Sequence, residues 1–213
     1  MCGEFSSMPI LGEPAPDFEA LTTHGMAKLS DFKGKWLVLF SHPADFTPVC
    51  TTEFIAFSKI ADDLKSLNVQ LMGLSIDSVH SHLAWIRNVK EKMGVDIPFP
   101  IIADLDMKVA KKYGMIHPGQ SSTAAIRAVF FIDDKGILRA MIYYPLTAGR
   151  FMPEIVRLIK SLQTTDKYGV ATPANWQPGD KVVVPAPKNK EEMDRRLSEG
   201  YECKDWYLCF KNI

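Results

Sequence analysis

The chain has 213 residues, 46% of them hydrophobic, and its 25 basic and 25 acidic residues leave a formal net charge of zero. This length suits one domain or one domain with an appendage, and the apolar content is ample for a packed core. A balanced charge excludes the basic surface that a nucleic-acid or polyanion partner requires, and no apolar run approaches the roughly 20 residues of a membrane span. The opening Met1-Cys-Gly-Glu-Phe-Ser-Ser-Met8 has neither the basic nor the apolar region of a secretory signal, so the expected location is the cytoplasm, where thiols are kept reduced.

Residues 8 to 20 are proline-rich and expected to be extended. Thr22-Thr-His-Gly25 reads as a hairpin turn, and Ser30-Asp31 starts a short turn that ends near Gly34. Trp36-Leu-Val-Leu-Phe40 is a short apolar run of strand type. A helical pattern follows, with Phe54, Phe57, Ile60, Ala61 and Leu64 on one face. Thr47 precedes Pro48, and proline suits the first helical position because it has no N–H to lose there. Thr47 is therefore the expected N-cap, and Cys50 falls at the third helical position.

Val69 to Ile76 is strand-like, and Asp77-Ser78 starts a helix whose face holds Ala84, Trp85, Val89 and Met93. Ile101-Ile102 is a second short strand leading into a helix from about Met107 to Tyr113. Gly114 to Ser122 is a loop. Ala128 to Ile132 is a buried strand, Asp133 to Gly136 a turn, and Ile137 to Tyr144 the returning strand. A last helix runs from about Pro153 to Gln163. Alternating strands and helices imply parallel pairs with crossover helices, and with the closing hairpin this is an α/β, thioredoxin-like layout. From Thr164 the composition changes to turn formers, a short Val182–Val184 strand, a charged helix over Lys188 to Glu199, and a tail with two cysteines among aromatics. The expected division is 1–165 for the main domain and 166–213 for a small C-terminal domain. The latter has too little apolar sequence for a stable core of its own and is expected to pack on a neighbouring subunit.

The end of the first core strand is where chemistry is expected. Unpaired N–H groups and the positive end of the helix dipole favour a sulfur anion at a helix N-terminus, and the thiolate is the nucleophile. Two readings of Cys50 stay open on spacing alone: an activated sulfur, or a buried cysteine acting as a small hydrophobe. Of the other cysteines, Cys2, Cys203 and Cys209, none forms Cys-x-x-Cys with another and none fits a common zinc spacing. No metal or cofactor is expected.

The wording of this stretch, Ser41-His-Pro-Ala-Asp-Phe-Thr-Pro-Val-Cys-Thr-Thr-Glu-Phe54, resembles the active-site loop of peroxiredoxins. Pro43, Thr47 and Cys50 match the family's Pro-x-x-x-Thr-x-x-Cys signature. The longer string is similar to the subfamily that holds the mammalian one-cysteine enzyme and many archaeal members. The resemblance implies a thioredoxin-like fold and a thiol peroxidase that reduces hydrogen peroxide and organic hydroperoxides through a sulfenic acid on Cys50. Arg127 matches the family's active-site arginine, and Arg150 a second arginine of this subfamily. Thr47 and the Cys50 N–H can supply hydrogen bonds to the peroxide, and Pro43 can shield the sulfur from water. His42 has two open readings, peroxide contact or a packed histidine. Glu53 either orients the arginines or is a plain first-turn acid. His80 and His82 form a His-x-His, read as surface residues because no cysteine or carboxylate is placed to complete a metal site.

Cys203 and Cys209 resemble the Cys-x5-Cys tail of archaeal members. By analogy Cys209 is expected to resolve the sulfenic acid of a neighbouring subunit and Cys203 to exchange next, with a thioredoxin-like or other dithiol reductant closing the cycle. Simple packing beside Trp206 and Tyr207 is the alternative. Cys2, near the terminus, is expected to be incidental. The resemblance also implies homo-oligomers, dimers assembled into a ring with a decamer favoured, and from it comes a second function, a chaperone-like holdase. A thioredoxin-type disulfide reductase is excluded, since Thr47 and Glu53 stand where its second cysteine would be. A phospholipase site is not expected, because no Gly-x-Ser-x-Gly is present.

Overall fold

A computed structural model describes residues 8–213, so Cys2 lies outside the described residues. The chain divides into two compact units between Met152 and Pro153. Composition alone put the change at 165/166, within the last turn of the last long helix; compactness groups that helix with the tail.

The first unit is built on a seven-stranded sheet. Its strands are β1 (Glu19–Thr22), β2 (Gly25–Lys28), β3 (Trp36–Ser41), β4 (Val69–Ser75), β5 (Ile101–Ala103), β6 (Arg127–Ile132) and β7 (Leu138–Tyr144), in the order β2-β1-β5-β4-β3-β6-β7. β3 runs parallel to β4, and β4 to β5, while β6 is antiparallel to β3 and to β7. The helices α1 (Pro48–Ser66) and α2 (Val79–Met93) make the crossovers that parallel neighbours require, and α3 is a short helix at Lys108–Lys112. This is the α/β, thioredoxin-like arrangement expected from the element order.

Every residue of β3 and β6 is buried, as for central strands covered on both faces. Alternation along β3 divides the core in two. Leu37 and Leu39 join Met72, Leu74, Phe130, Ile132 and Tyr113 in one apolar cluster. Phe40, from the other face, stacks on Phe57 at 3.9 Å and meets Phe54 and Phe99 edge-on. Burying each such ring is worth roughly 1.5–3 kcal/mol. β4 comes so close to this aromatic group that a Cβ at Gly73 would stand 3.2 Å from Phe54 Cζ.

α1 begins and faces inward as expected, with Cys50, Phe54, Phe57 and Leu64 buried. α2 is capped by Ser78, whose hydroxyl accepts the Ser81 N–H, and closed by Gly94 in the left-handed region. Its buried face differs from the expected one. It consists of His82, Trp85 and Val89, while Met93 is exposed. The i, i+3, i+7 row is filled by a histidine where the sequence reading looked only for apolar residues.

The second unit holds α4 (Met152–Tyr168), α5 (Lys190–Arg196) and a three-stranded sheet ordered β8 (Val182–Val183), β10 (Leu208–Lys211), β9 (Glu202–Asp205). Its own core is small, a cluster of Val170, Trp176 and Val182. β9 and β10 form a hairpin that sets Cys203 opposite Cys209, and the two are joined as a disulfide. No helix among the described residues is long and apolar enough to cross a membrane.

Candidate active site

The chain leaves β3 at Ser41 and turns through residues 42–47 into α1. Thr47 has the extended backbone of an N-cap, φ −108° and ψ 148°, and Pro48 opens the helix. The Thr47 hydroxyl does not cap; it donates to the Ala44 carbonyl at 2.9 Å and fixes the turn. Phe46, exposed beside it, takes a positive φ of 54°, an uncommon state for a bulky residue that this turn imposes. Pro43 is half-buried in the same turn. Cys50 is the third residue of the helix and carries a free thiol with no solvent exposure.

Burial fits the bland reading of Cys50, but its neighbours do not. Arg127 enters from the first position of β6 and donates through Nη1 to Cys50 Sγ at 3.3 Å and to Glu53 Oε2 at 2.7 Å. Its Nε donates to the Leu146 carbonyl at 3.0 Å. Arg150 grips Glu53 bidentately, Nε to Oε1 at 2.8 Å and Nη2 to Oε2 at 2.7 Å, and its backbone N–H adds a third bond to Oε1 at 2.9 Å. Nη1 of Arg150 donates to the carbonyls of Ser41 and Ala128 at 2.9 and 3.1 Å. The guanidinium lies over Phe40 and Phe57, 5.2 Å from each ring centre.

Glu53 is thus the anchor that holds both arginines, and the first-turn-acid reading gives way to it. Burial alone would raise its pKa, but the charges and hydrogen bonds of Arg150, with the charge of Arg127, hold the carboxyl below the usual range. Burial conversely lowers Arg150 from the ordinary arginine value, against the pull of Glu53. The three groups bring two positive charges and one negative into a site closed to water. The surplus of one positive charge sits against the sulfur.

His42 is also fully buried. Its Nε2 lies 2.9 Å from Asp45 Oδ1, its ring stacks on Trp85 at 5.2 Å and meets Phe54 edge-on at 4.7 Å, and its Nδ1 has no hydrogen-bond partner. The His-x-His pair splits: His80 is exposed, but His82 is buried and its Nδ1 lies 2.8 Å from Asp45 Oδ2. The surface reading of His82 is therefore corrected. A carboxylate does complete the group, Asp45, and the sequence reading missed it although it stands three residues after His42 inside the signature stretch. The other available signal was the position of His82 on the same helical face as Trp85 and Val89.

In the second unit Cys209 is buried and Cys203 half-buried. Trp206 and Tyr207, which the packing alternative made their neighbours, are exposed at the hairpin turn.

A cysteine in the first helical turn after a central strand, with a fixed guanidinium on its sulfur, defines the molecule as a thiol-dependent redox enzyme of thioredoxin-like fold. Comparison with known proteins narrows the class. Residues 11–141 match the model of the AhpC/TSA family, and residues 161–200 match the C-terminal domain of 1-Cys peroxiredoxin. A peroxiredoxin of Aquifex aeolicus is 62% identical over 99% of this chain and 100% of its own length, and one of Methanocaldococcus jannaschii is 52% identical over 97% and 100%. Among solved structures, a yeast mitochondrial 1-Cys peroxiredoxin superposes with a TM-score of 0.87 at 41% identity, covering 97% of this chain and all of that one. A cysteine variant of peroxiredoxin 6 from Arenicola marina gives 0.86 at 42%, covering 96% and 98%. The chain belongs to the peroxiredoxins and is a thiol peroxidase.

Proposed function

We propose that Cys50 is the peroxidatic sulfur. The observation that carries this reading is the 3.3 Å contact of Arg127 Nη1 with Cys50 Sγ, in a cluster whose charge is balanced when the sulfur is an anion. The thiolate attacks one oxygen of the hydroperoxide and the O–O bond breaks. The electron pair goes to the leaving oxygen, which takes a proton and departs as water or alcohol, and Cys50 becomes a sulfenic acid. Arg127 stabilises the charge that develops on the leaving oxygen, and Glu53 and Arg150 hold Arg127 where it can do so. The Cys50 N–H donates to the peroxide, the Thr47 hydroxyl, whose own proton goes to the Ala44 carbonyl, accepts from it, His42 contacts it, and Pro43 keeps water from the sulfur.

The sulfenic acid is then resolved by the tail. The Cys209 thiol of a neighbouring subunit condenses with it and releases water, and the Cys203 thiolate displaces Cys50 to leave the Cys203–Cys209 disulfide. A dithiol reductant of thioredoxin type reduces that bond. The cross-strand pairing of Cys203 with Cys209 supports the last exchange, since the two sulfurs meet without rearranging the hairpin. Cys50 is sealed in this conformation, so condensation requires the first turn of α1 to open. Dimers assembled into a ring, a decamer, would bring the tail to its neighbour, and the reducing cytoplasm would supply the dithiol.

Cys50→Ser is expected to lose peroxide turnover and keep its fold and oligomer; turnover at the wild-type rate would refute the assignment. Non-reducing gels of peroxide-treated Cys203→Ser protein should trap a Cys50-dependent dimer. Cys209→Ser should abolish that dimer, and a dimer left unchanged would remove Cys209 from the cycle.

A further inference from the structure

His42, Asp45 and His82 form a second buried charged group, distinct in its partners from the arginine cluster. His42 Nε2 lies 2.9 Å from Asp45 Oδ1, and His82 Nδ1 lies 3.0 and 2.8 Å from Oδ1 and Oδ2. Three such ligands invite a metal reading. The spacing opposes it. A tetrahedral ion bound at roughly 2.0–2.2 Å holds its ligand atoms about 3.3 Å apart, whereas the Asp45 carboxylate lies at hydrogen-bond distance from a nitrogen of each histidine. Protons, not an ion, join them.

The distribution of those protons follows from what each nitrogen faces. His82 Nδ1 faces a carboxylate and its Nε2 faces the Ile102 carbonyl at 3.1 Å. Neither partner can donate, so both ring nitrogens of His82 must. His42 Nε2 likewise donates to Asp45, but His42 Nδ1 faces no partner. Only one of two neighbouring histidines can hold a full charge cheaply beside a single carboxylate.

We infer that His82 is a positioning residue: it carries the charge that balances Asp45, and so leaves His42 neutral with a bare Nδ1 in the loop that leads to Cys50. The surroundings agree. Burial disfavours the charged form of His42, and the nearby His82 adds to this against the hydrogen bond to Asp45 and the charge of that carboxylate. Burial alone would raise Asp45, but hydrogen bonds from both histidines hold it well below the usual carboxylate range. The remaining acid nearby, Asp77, accepts the Asp45 N–H and the Ser75 hydroxyl and so fixes the loop; its charge favours protonated His42, but ranks behind burial, Asp45 and His82. Trp85 and Phe54 cover His42 and exclude water. The catalytic relevance rests on the proposed role of His42 at the peroxide; the charge assignment itself does not.

Nitrogen-15 NMR of the histidines in the reduced protein near pH 8 tests the assignment. Wild-type His82 should show two protonated ring nitrogens, and His42 one protonated and one bare. A bare nitrogen on His82 overturns the inference while leaving peroxide turnover by Cys50 untouched. Two variants separate charge from packing. In His82→Asn the amide falls near the old Nδ1 and still donates to Asp45. In His82→Gln it falls near the old Nε2 and donates to Ile102. Both remove the cation, so in both His42 Nδ1 should become protonated. Peroxide oxidation of Cys50 should slow about tenfold in His82→Gln, the rate equivalent of one lost hydrogen bond, and less in His82→Asn. Unchanged His42 signals, or a milder effect in the bulkier His82→Gln, would mean that His82 only fills space. If neither variant folds, the wild-type spectrum alone decides.

Discussion

Two of the buried carboxylates in the catalytic unit each collect two basic side chains. Glu53 holds Arg127 and Arg150; Asp45 holds His42 and His82. The geometry is alike and the charge is not. Guanidinium cannot release its proton in a protein, so two arginines on one carboxylate leave a fixed surplus of positive charge for a sulfur anion or a leaving oxygen to answer. Imidazole can be neutral, so the Asp45 group balances itself internally. One group exports charge to the chemistry, and the other shapes the loop that carries it.

The comparison breaks first at Glu53. Glu53→Gln leaves two buried guanidinium groups without their counter-ion and should destabilise the unit by about 3–5 kcal/mol, read as a shift in the urea midpoint. A loss below about 1 kcal/mol would mean that the arginines find other partners and that Glu53 is no anchor. Next comes Arg127→Gln. Removing one donor to a developing oxyanion typically lowers the rate by roughly 10²–10³-fold, and stopped-flow oxidation by peroxide should fall by that order. Arg127→Lys should recover part of it, because the charge returns but the fork that spans Cys50 and Glu53 does not.

Acid separates the two groups more gently. Glu53 and Asp45 are lowered in the folded protein, so their contribution is complete above the ordinary carboxylate range, near pH 4, and is lost as pH falls from there toward their native values. His42 is lowered too, so the unfolded chain takes up its proton first. Its contribution is present above about pH 6.5 and begins to be lost below it. Stability should therefore decline in two stages, the upper with a slope of up to about 1.4 kcal/mol per pH unit. His42→Gln should erase the upper stage alone. A single decline starting near pH 4 in the wild-type protein would place His42 among charged histidines and unmake the contrast.

The element order, the strand that ends at Ser41 and the helix that starts at Pro48 were legible because apolar periodicity and proline placement are local signals. Cys50 was legible as a site through the wording of the loop, and Arg127 through the family resemblance which that wording carries. What escaped was long-range and polar. For Glu53 the orienting role was one of two open readings, and what could not be read was the choice between them, which depends on a residue 97 positions away. Asp45 and His82 meet across 37 positions, and His82 was read as surface because no carboxylate stood near it in the sequence to complete the group. Buried polar groups satisfy one another in space, and a one-dimensional pattern of hydrophobicity does not register such pairs. The tail hairpin was missed for another reason: β9 and β10 are short and rich in charged and aromatic residues, without clean alternation.

The account stands most directly on where the first oxygen lands. Reduced protein treated with one equivalent of hydrogen peroxide, in the presence of a reagent that traps sulfenic acid, can be digested and its cysteine peptides weighed. The adduct is expected on the peptide that carries Cys50, forming fast in the wild-type protein and at least 10²-fold more slowly in Arg127→Gln. An adduct on Cys203 or Cys209 with Cys50 untouched, or a rate at Cys50 indifferent to Arg127, would contradict it.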